Sequence, residues 1–308
     1  MKRILITGSN GLLGSKLVRK ISENPAFLPL FTSPGSDRNN LPADKYSSLD
    51  IRDAAAVEKV IFDFKPQVLI HAGAMTQVDA CETDPPLCNA INVVGTENII
   101  AALQKMASPE LNPHLIFVST DFIFDGKKGP YSETDKPNPL SVYGKSKLNA
   151  EILVQKSGLP WSIARTVLVY GYEPGLSRTN FLLWIKSSLE KNSKIKVVKD
   201  QVRTPTLAED LADGLLAIAG KSALGIFNLS GPDGGSIYEI ALRIAEFWKL
   251  NSGLIEPVLT KDLSQPAPRP PVTGFVIEKA REILGFNPKS FAEGMLLVDA
   301  QLKKLKES

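Results

Sequence analysis

The feature that most constrains the fold is a regular alternation of short β-type runs with longer helix-type segments, beginning at residue 3. The helix-type segments carry apolar residues at three- and four-residue spacing. The predicted strands are residues 3–7, 27–32, 46–49, 68–71, 115–119 and 162–166, and the predicted helices are residues 12–22, 54–64, 86–106 and 142–155. This order predicts an α/β fold with a Rossmann-like, doubly wound parallel sheet.

The regular alternation stops after Tyr170. Residues 171–175 are turn formers, and an amphipathic stretch covers residues 180–191. A helix near 208–219 and a strand near 225–229 are expected to return to the sheet, whereas residues 236–248 and the last helix read as additions. The proline-rich segment 265–271 reads as a semi-rigid connector. The second half is therefore organised differently from the first.

Composition excludes several classes of function. The net charge is +3 in 308 residues, and the basic residues are interleaved with acidic ones, which argues against nucleic-acid binding. Two cysteines, Cys81 and Cys88, provide neither a disulfide framework nor a thiolate zinc site, so we expect no metal and a reducing, cytoplasmic setting. No apolar run approaches the roughly 20 residues that cross a bilayer.

A glycine-rich turn joins the first strand to the first helix. Gly8, Gly11 and Gly14 recur every three residues, and Asn10 and Leu12 lie between them. A helix start presents unpaired N–H groups and the positive end of the helix dipole, and glycine lets a pyrophosphate approach the backbone. We expect Gly8 to turn the chain, Gly11 to admit the phosphates and Gly14 to seat the helix on the strand. The turn predicts a dinucleotide site.

The end of the second strand carries no acidic residue. Residues 30–33 read Leu-Phe-Thr-Ser, whereas an Asp or Glu at this point would bind the ribose of NAD. Arg38 follows a few residues later, and a guanidinium suits a 2'-phosphate. The pattern favours NADP over NAD, with a surface arginine as the alternative reading of Arg38.

A tyrosine and a lysine share one face of the fourth predicted helix. Tyr143 and Lys147 are four residues apart, and a nearby ammonium together with an oxidised nicotinamide favours the phenolate and lowers the pKa of the tyrosine. Thr120 ends the fifth strand at the carboxyl edge of the sheet, where ligands bind. We expect Thr120 to bind a substrate carbonyl and Tyr143 to transfer the proton, with Ser119 as the alternative hydroxyl.

These motifs resemble the extended short-chain dehydrogenases/reductases, and within them the dTDP-4-dehydrorhamnose reductase family. The likeness rests on the glycine-rich turn, on Ser-Thr-Asp-Phe-Ile-Phe-Asp-Gly at 119–126 and on Val-Tyr-Gly-Lys-Ser-Lys at 142–147. Thr-Gln-Val-Asp-Ala-Cys-Glu at 76–82, followed by Pro85 and Asn92, is similar to a sugar-bordering segment of that family. The resemblance spans nearly the whole chain.

The resemblance implies further site residues. Asp50 and Ile51 resemble the pair that holds the adenine, and His71, Ala72 and Gly73 resemble the small-residue turn beside the coenzyme, although His71 also suits a packed core. The predicted coenzyme contacts are Gly8, Asn10, Gly11, Leu12, Gly14, Arg38, Asp50, Ile51, His71, Ala72, Gly73, Tyr143 and Lys147. The predicted substrate contacts are Thr76, Val78, Thr120, Asp121, Phe122, Asn180, Arg203 and Arg269, the two arginines serving the diphosphate.

The resemblance also implies an organisation and an activity. Residues 1–170, with a return of about 195–230, are expected to form an NAD(P)-binding domain, and residues 171–308 mainly a smaller, discontinuous substrate-binding domain. The expected reaction is NAD(P)H-dependent reduction of a 4-keto group on a nucleoside-diphosphate deoxysugar, by a protein that related enzymes suggest is a homodimer. Two features depart from the family: its sugar-facing tryptophan is missing from residues 165–171, and Thr273 replaces a serine.

Two alternatives remain. An epimerase or dehydratase on the same scaffold is one, although a dehydratase normally has a carboxylate pair beside the hydroxyl and Thr120-Asp121 supplies one acid. The other is a regulatory subunit, because the resemblance extends to the β subunit of methionine adenosyltransferase. The complete set of Thr120, Tyr143 and Lys147 favours an enzyme.

Overall fold

The computed structural model of the chain describes residues 1–176 and 179–307. Its strands are β1 (Lys2–Thr7), β2 (Phe27–Ser33), β3 (Tyr46–Ser48), β4 (Val68–His71), β5 (His114–Thr120), β6 (Trp161–Thr166), β7 (Val169–Tyr170), β8 (Ile195–Val198), β9 (Val202–Arg203), β10 (Thr206–Leu207), β11 (Gly225–Asn228), β12 (Gly235–Ser236) and β13 (Ile255–Val258). Its helices are α1 (Leu12–Ser22), α2 (Ala54–Phe64), α3 (Val78–Thr83), α4 (Pro85–Asn89), α5 (Gly95–Met106), α6 (Val142–Lys156), α7 (Phe181–Glu190), α8 (Ala208–Lys221), α9 (Ile237–Phe247), α10 (Glu278–Leu284) and α11 (Phe291–Glu307).

Within these residues, seven strands form one parallel sheet in the order β11-β6-β5-β4-β1-β2-β3. The order runs outward in both directions from β1 and β4, which is the doubly wound arrangement. The predicted α/β, Rossmann-like fold is confirmed. The carboxyl ends of β1 and β4 flank the point where the order reverses, and ligands bind at such a point in open α/β sheets.

Both faces of the sheet are covered, as the apolar strands require. Ile4 and Ile6 of β1 pack into a cluster with residues of α1 and α8, whereas Leu5 points to the other face, with residues of α2 and α5. Successive residues of a strand face opposite sides, so consecutive β1 residues enter different cores. This double burial fixes the position of the turn that follows β1.

The predicted helix 86–106 is interrupted in the structure. It begins one residue earlier, as α4, and passes through a π-helical turn at Ala90–Val94 before continuing as α5. Such turns occur often at functional sites. Here the side chain of Asn92 accepts a hydrogen bond from the Met75 amide (2.8 Å) and donates to Ser146 Oγ (3.0 Å), which ties the loop after β4 to α6.

The second half of the chain adds one strand to the sheet and builds a separate cluster. The strand predicted near 225–229 is β11, which pairs with β6. β8 instead pairs with β13 outside the main sheet. α7, α9 and α11 contribute to a third apolar cluster, which includes the buried Tyr170. Among the described residues, no helix combines the length and the apolarity needed to cross a membrane.

Candidate active site

A large cavity lies at the carboxyl edge of the parallel sheet. Its volume is about 1050 Å³, at the upper limit of ordinary small-molecule sites. It runs from the glycine-rich turn after β1, past Thr120 and Tyr143, to Asn180 and Arg269 in the second half of the chain. The cavity is therefore long enough to bring the two halves of the predicted site together.

The three glycines of the turn are needed for different reasons. Gly8 has φ +78°, in the left-handed region, and a Cβ on Gly14 would lie 2.1 Å from the Gly8 carbonyl oxygen. A Cβ on Gly11, by contrast, would meet its nearest described atom at 3.4 Å. Gly11 is also the N-cap of α1 and lines the cavity. Packing thus accounts for Gly8 and Gly14, while the space over Gly11 fits an approaching phosphate.

On the side of the glycine-rich turn, the cavity is also lined by Arg38, Asp50, Ile51 and Arg52. The Arg38 amide donates to Asn10 Oδ1 (3.1 Å), which joins the loop after β2 to the glycine-rich turn. Asp50 is held by the guanidinium of Arg52, with Nη2 and Oδ2 2.6 Å apart, and this pairing lowers the pKa of Asp50. Sequence reasoning missed Arg52, which follows the predicted Asp50-Ile51 pair directly.

His71 lies below the cavity and not on its wall. It is buried between two hydroxyls, Thr7 Oγ1 at 2.7 Å from Nδ1 and Thr96 Oγ1 at 3.1 Å from Nε2. Burial lowers the pKa of His71 to about 3, with a smaller contribution from Lys147, so the ring is neutral. The structure therefore favours the packed core histidine over the coenzyme contact. Ala72 and Gly73, which follow it, line the cavity as expected.

Thr120, Tyr143 and Lys147 meet on the cavity wall between these ends. α6 begins at the N-cap Ser141, whose hydroxyl accepts from the Gly144 amide (3.1 Å). A Cβ on Gly144 would lie 2.2 Å from the Phe122 carbonyl oxygen, so this glycine lets α6 sit directly against the segment after β5. That close approach brings the Tyr143 side chain to the same part of the cavity wall as Thr120.

Burial controls the ionisation of the tyrosine and the lysine. It raises the pKa of Tyr143 well above its ordinary value, an effect that the hydrogen bond with Thr120 partly offsets. It lowers the pKa of Lys147 to about 7, opposed by the negative charge of Glu151. Lys147 Nζ stands 4.0 Å from the centre of the Phe117 ring. The lowered pKa of Tyr143 that was expected beside Lys147 is not found in the protein alone, because burial raises it.

Asp121 and Arg203 form a buried pair behind Thr120. Arg203 Nε lies 3.7 Å from Asp121 Oδ2, and the rest of its guanidinium donates to backbone carbonyl oxygens of Val202 (2.7 Å), Pro270 (2.7 Å) and Pro271 (3.2 Å). Arg203 is 3% exposed and is not among the residues lining the cavity. The structure thus does not bring Arg203 to the site where a diphosphate contact was predicted, because its donors are directed into the protein.

The remaining predicted substrate contacts line the other end of the cavity: Thr76, Val78, Phe122, Asn180 and Arg269. Arg269 Nη2 pairs with Asp79 Oδ2 at 2.8 Å and keeps 16% of its side chain exposed. Asn180 caps α7 and donates to the Gly171 carbonyl oxygen (2.7 Å). Leu168, which sequence reasoning did not select, also lines the cavity with a left-handed φ of +39°. It lies in the segment where the family's tryptophan is missing.

Comparison with known proteins identifies the same family that the sequence motifs resemble. The family model described as RmlD substrate binding domain matches residues 1–303. The dTDP-4-dehydrorhamnose reductase of Aggregatibacter actinomycetemcomitans is 31% identical, over 96% of this chain and 97% of that protein. The methionine adenosyltransferase 2 subunit beta of Xenopus laevis is 32% identical, over 87% of this chain and 78% of that protein.

A solved structure agrees over the full length. The dTDP-4-dehydrorhamnose reductase from Bacillus anthracis, in complex with NADP, is 27% identical and covers 98% of this chain with 100% of its own, at a TM-score of 0.81. The resemblance drawn from the sequence motifs is confirmed at the level of the family. The chain belongs to the RmlD substrate binding domain family, an extended short-chain dehydrogenase/reductase type.

Proposed function

We propose that this protein is an NAD(P)H-dependent reductase of a 4-keto group on a nucleoside-diphosphate deoxysugar. One observation carries the proposal: Thr120, Tyr143 and Lys147 lie on the wall of one cavity that begins at the glycine-rich turn. A hydroxyl, a phenol and an ammonium beside a dinucleotide site are the groups that carbonyl reduction requires. The family and the NADP complex of the B. anthracis relative support the same activity.

The coenzyme half of the cavity is proposed to hold the dinucleotide. The N-terminus of α1 and the space over Gly11 suit the pyrophosphate, and Asp50 and Ile51 suit the adenosine. The absence of an acid at 30–33 and the presence of Arg38 on the cavity wall support NADP over NAD. When bound, the reduced coenzyme supplies the hydride.

Tyr143 is proposed to donate the proton that completes the reduction. Because burial raises the pKa of Tyr143, the phenol is protonated at neutral pH and ready to donate. Lys147, one helical turn further on, is proposed to bind the coenzyme and to stabilise the phenolate that is left. Thr120 lies beside Tyr143 on the cavity wall, next to the proposed position of the reacting carbonyl.

Residues 171–308 are proposed to provide most of the sugar-nucleotide site, and residues 1–170, with β11 and α8, the coenzyme site. Asn180 and Arg269 line the end of the cavity away from the glycine-rich turn. A guanidinium fork at Arg269 suits diphosphate oxygens, provided that it exchanges Asp79 for the ligand. We further propose that the protein is cytoplasmic and that it forms a homodimer. Light scattering of the purified protein tests the dimer.

The function is tested by NAD(P)H oxidation with dTDP-4-keto-6-deoxyglucose. Wild-type protein is expected to oxidise the coenzyme, and Tyr143→Phe to lower kcat by about 10²- to 10⁴-fold, the usual contribution of a general acid. Coenzyme affinity, measured by fluorescence titration, should change little, because the phenyl ring is retained. Equal turnover by wild type and Tyr143→Phe would overturn the assignment of the proton donor.

A regulatory subunit is the second candidate, and a specific observation favours it: the methionine adenosyltransferase 2 beta subunits are about as similar to this chain as the reductases are. The intact set of Thr120, Tyr143 and Lys147 supports the enzyme instead. Coenzyme binding without turnover of any sugar nucleotide, together with a stable complex with a methionine adenosyltransferase, would favour the subunit. An epimerase or dehydratase would release a changed sugar with no net coenzyme consumption.

A further inference from the structure

Asp121 lines the cavity, and its carboxylate is held on both oxygens. Thr120 Oγ1 donates to Oδ1 (3.1 Å), and Thr273 Oγ1 donates to Oδ2 (2.5 Å). Arg203 Nε stands 3.7 Å from the same Oδ2. Asp121 is 2% exposed, so these three groups, from three separate parts of the chain, take the place of water around it. A buried carboxylate with this many partners has one fixed orientation.

This orientation determines what Thr120 can do. Its single hydroxyl proton points to Asp121, while its oxygen accepts the Phe122 amide (3.2 Å). The Thr120 proton is therefore directed at Asp121 and not at Tyr143, its neighbour on the cavity wall. The direction of the Thr120 O–H is thus set by Asp121.

The anchors of Asp121 are connected to one segment of the substrate side. We call residues 267–273 the strap. Arg203 donates to the strap carbonyls of Pro270 and Pro271, and Thr273 ends the strap. Arg269, near the start of the strap, lines the cavity and pairs with Asp79. The strap therefore connects the far end of the cavity to the carboxylate that orients Thr120.

We propose that Asp121 is a positioning residue: held by Arg203 and by Thr273 of the strap, it orients the Thr120 hydroxyl beside the proton donor Tyr143. The proposal rests on the proposed reductase function. In this proposal Arg203 is an internal anchor of the Asp121 carboxylate. The Thr273 hydroxyl is the second anchor, although Thr273 is 1% exposed and is not among the residues lining the cavity.

The charge of Asp121 also affects the titration of the phenol. The charged or titratable groups that face Asp121 are Arg203 and Tyr143, and those that face Tyr143 are Asp121, Cys81 and Cys88, with Lys147 one turn away on α6. The negative charge of Asp121 raises the pKa of Tyr143. Removal of that charge lowers the pKa of the phenol, so the loss of kcat at alkaline pH should begin at a lower pH.

Two substitutions test the proposal in the full-length protein with coenzyme and the 4-keto sugar nucleotide. Thr273→Val keeps the shape of the side chain and removes the hydroxyl, and we expect kcat to fall roughly ten- to a hundredfold, the effect of a lost hydrogen bond to a charged group, with KM changed less than about threefold. Thr273→Ser should restore most of kcat. Asp121→Asn should shift the alkaline limb of the kcat profile to lower pH. Thr134→Val, at an exposed threonine, is the matched control.

The outcomes separate the proposal from the function on which it rests. Wild-type kcat and an unmoved alkaline limb in both variants, with or without a lower melting temperature, would overturn the positioning role while leaving the reductase function intact. If wild-type protein turns over no sugar nucleotide, the reductase function fails, and crystal structures of wild type and Asp121→Ala decide the positioning role. A Thr120 hydroxyl that keeps the same direction without the carboxylate would then overturn it.

Discussion

Tyr143 and Lys147 lie one turn apart on α6, and burial favours the neutral form of each. The phenol keeps its proton because desolvation raises its pKa, while the ammonium loses part of its preference for the charge because desolvation lowers its pKa to about 7. Without coenzyme, the protein thus holds a protonated phenol one helical turn from a lysine whose pKa is near neutral pH. An anionic coenzyme next to Lys147 would favour the ammonium again.

The lysine makes stability depend on pH in a definite direction. Since the pKa of Lys147 falls from 10.5 to about 7 on folding, the unfolded chain binds the extra proton between these values, and raising the pH through this window favours the folded state. The full shift corresponds to at most about 5 kcal/mol. We expect Lys147→Met to remove this increase of stability with pH, because methionine does not bind a proton.

The measurement for Lys147 is the free energy of unfolding in urea, without coenzyme, at several pH values from 7 to 10. The difference between Lys147→Met and wild type should shrink steadily as the pH rises, with the variant the more stable at pH 7. A difference that stays constant over the whole range would show that the folded-state pKa of Lys147 is not lowered.

The glycine-rich turn allows a matched pair of substitutions. Gly14→Ala places a Cβ 2.1 Å from the Gly8 carbonyl oxygen, so it should lower the melting temperature clearly. Gly11→Ala meets no described atom closer than 3.4 Å, so the fold should tolerate it while the new methyl group blocks the phosphates. Fluorescence titration should give at least a roughly tenfold weaker coenzyme affinity for Gly11→Ala. An unchanged affinity would place the pyrophosphate elsewhere.

Local sequence patterns predicted the elements that carry Thr120, Tyr143 and Lys147. Thr120 ends β5, and Tyr143 and Lys147 lie in the first two turns of α6, as the strand and helix patterns indicated. The partners of Asp121 could not be predicted in this way. Thr273 lies 152 residues from Asp121 in the chain, and the guanidinium of Arg203 is directed inward by carbonyl oxygens of the strap, contacts that no local pattern encodes.

At the scale of elements, α6 is fastened to β6 by a buried ion pair. Arg165 of β6 donates to both carboxylate oxygens of Glu151 on α6, at 3.1 and 2.8 Å, and both side chains are at most 2% exposed. Their neighbour Lys147 feels the charge of Glu151. The sheet therefore helps to hold the helix that carries Tyr143 and Lys147, and the charge around Lys147 depends on the Arg165–Glu151 pair.

We expect Arg165→Met to destabilise the protein by about 3–5 kcal/mol, because the Glu151 carboxylate is left buried without its partner. The double variant Glu151→Leu/Arg165→Met should recover most of this loss, since it removes both charges. Urea unfolding of the two variants and wild type is the measurement. Equal stability of Arg165→Met and wild type would mean that water reaches Glu151.

At the scale of the whole molecule, the alternation in the first half predicted the sheet, but the second half could not be derived in the same way. β7, β9, β10 and β12 are two residues long, and β8 pairs with β13 some sixty residues away, so they leave no periodic signal in the sequence. The second half nevertheless contributes to the cavity wall, because Asn180 and Arg269 come from it. Both halves of the chain thus line one cavity.

The central claim is that hydride passes from a bound coenzyme to a sugar nucleotide inside this one cavity. It is tested most directly with coenzyme deuterated at the transferred position and dTDP-4-keto-6-deoxyglucose, followed by mass spectrometry and NMR of the product. We expect one deuterium at C4 of the sugar with wild-type protein and almost none with Tyr143→Phe over the same time. Tight coenzyme binding with no deuterium in any sugar nucleotide would contradict the account.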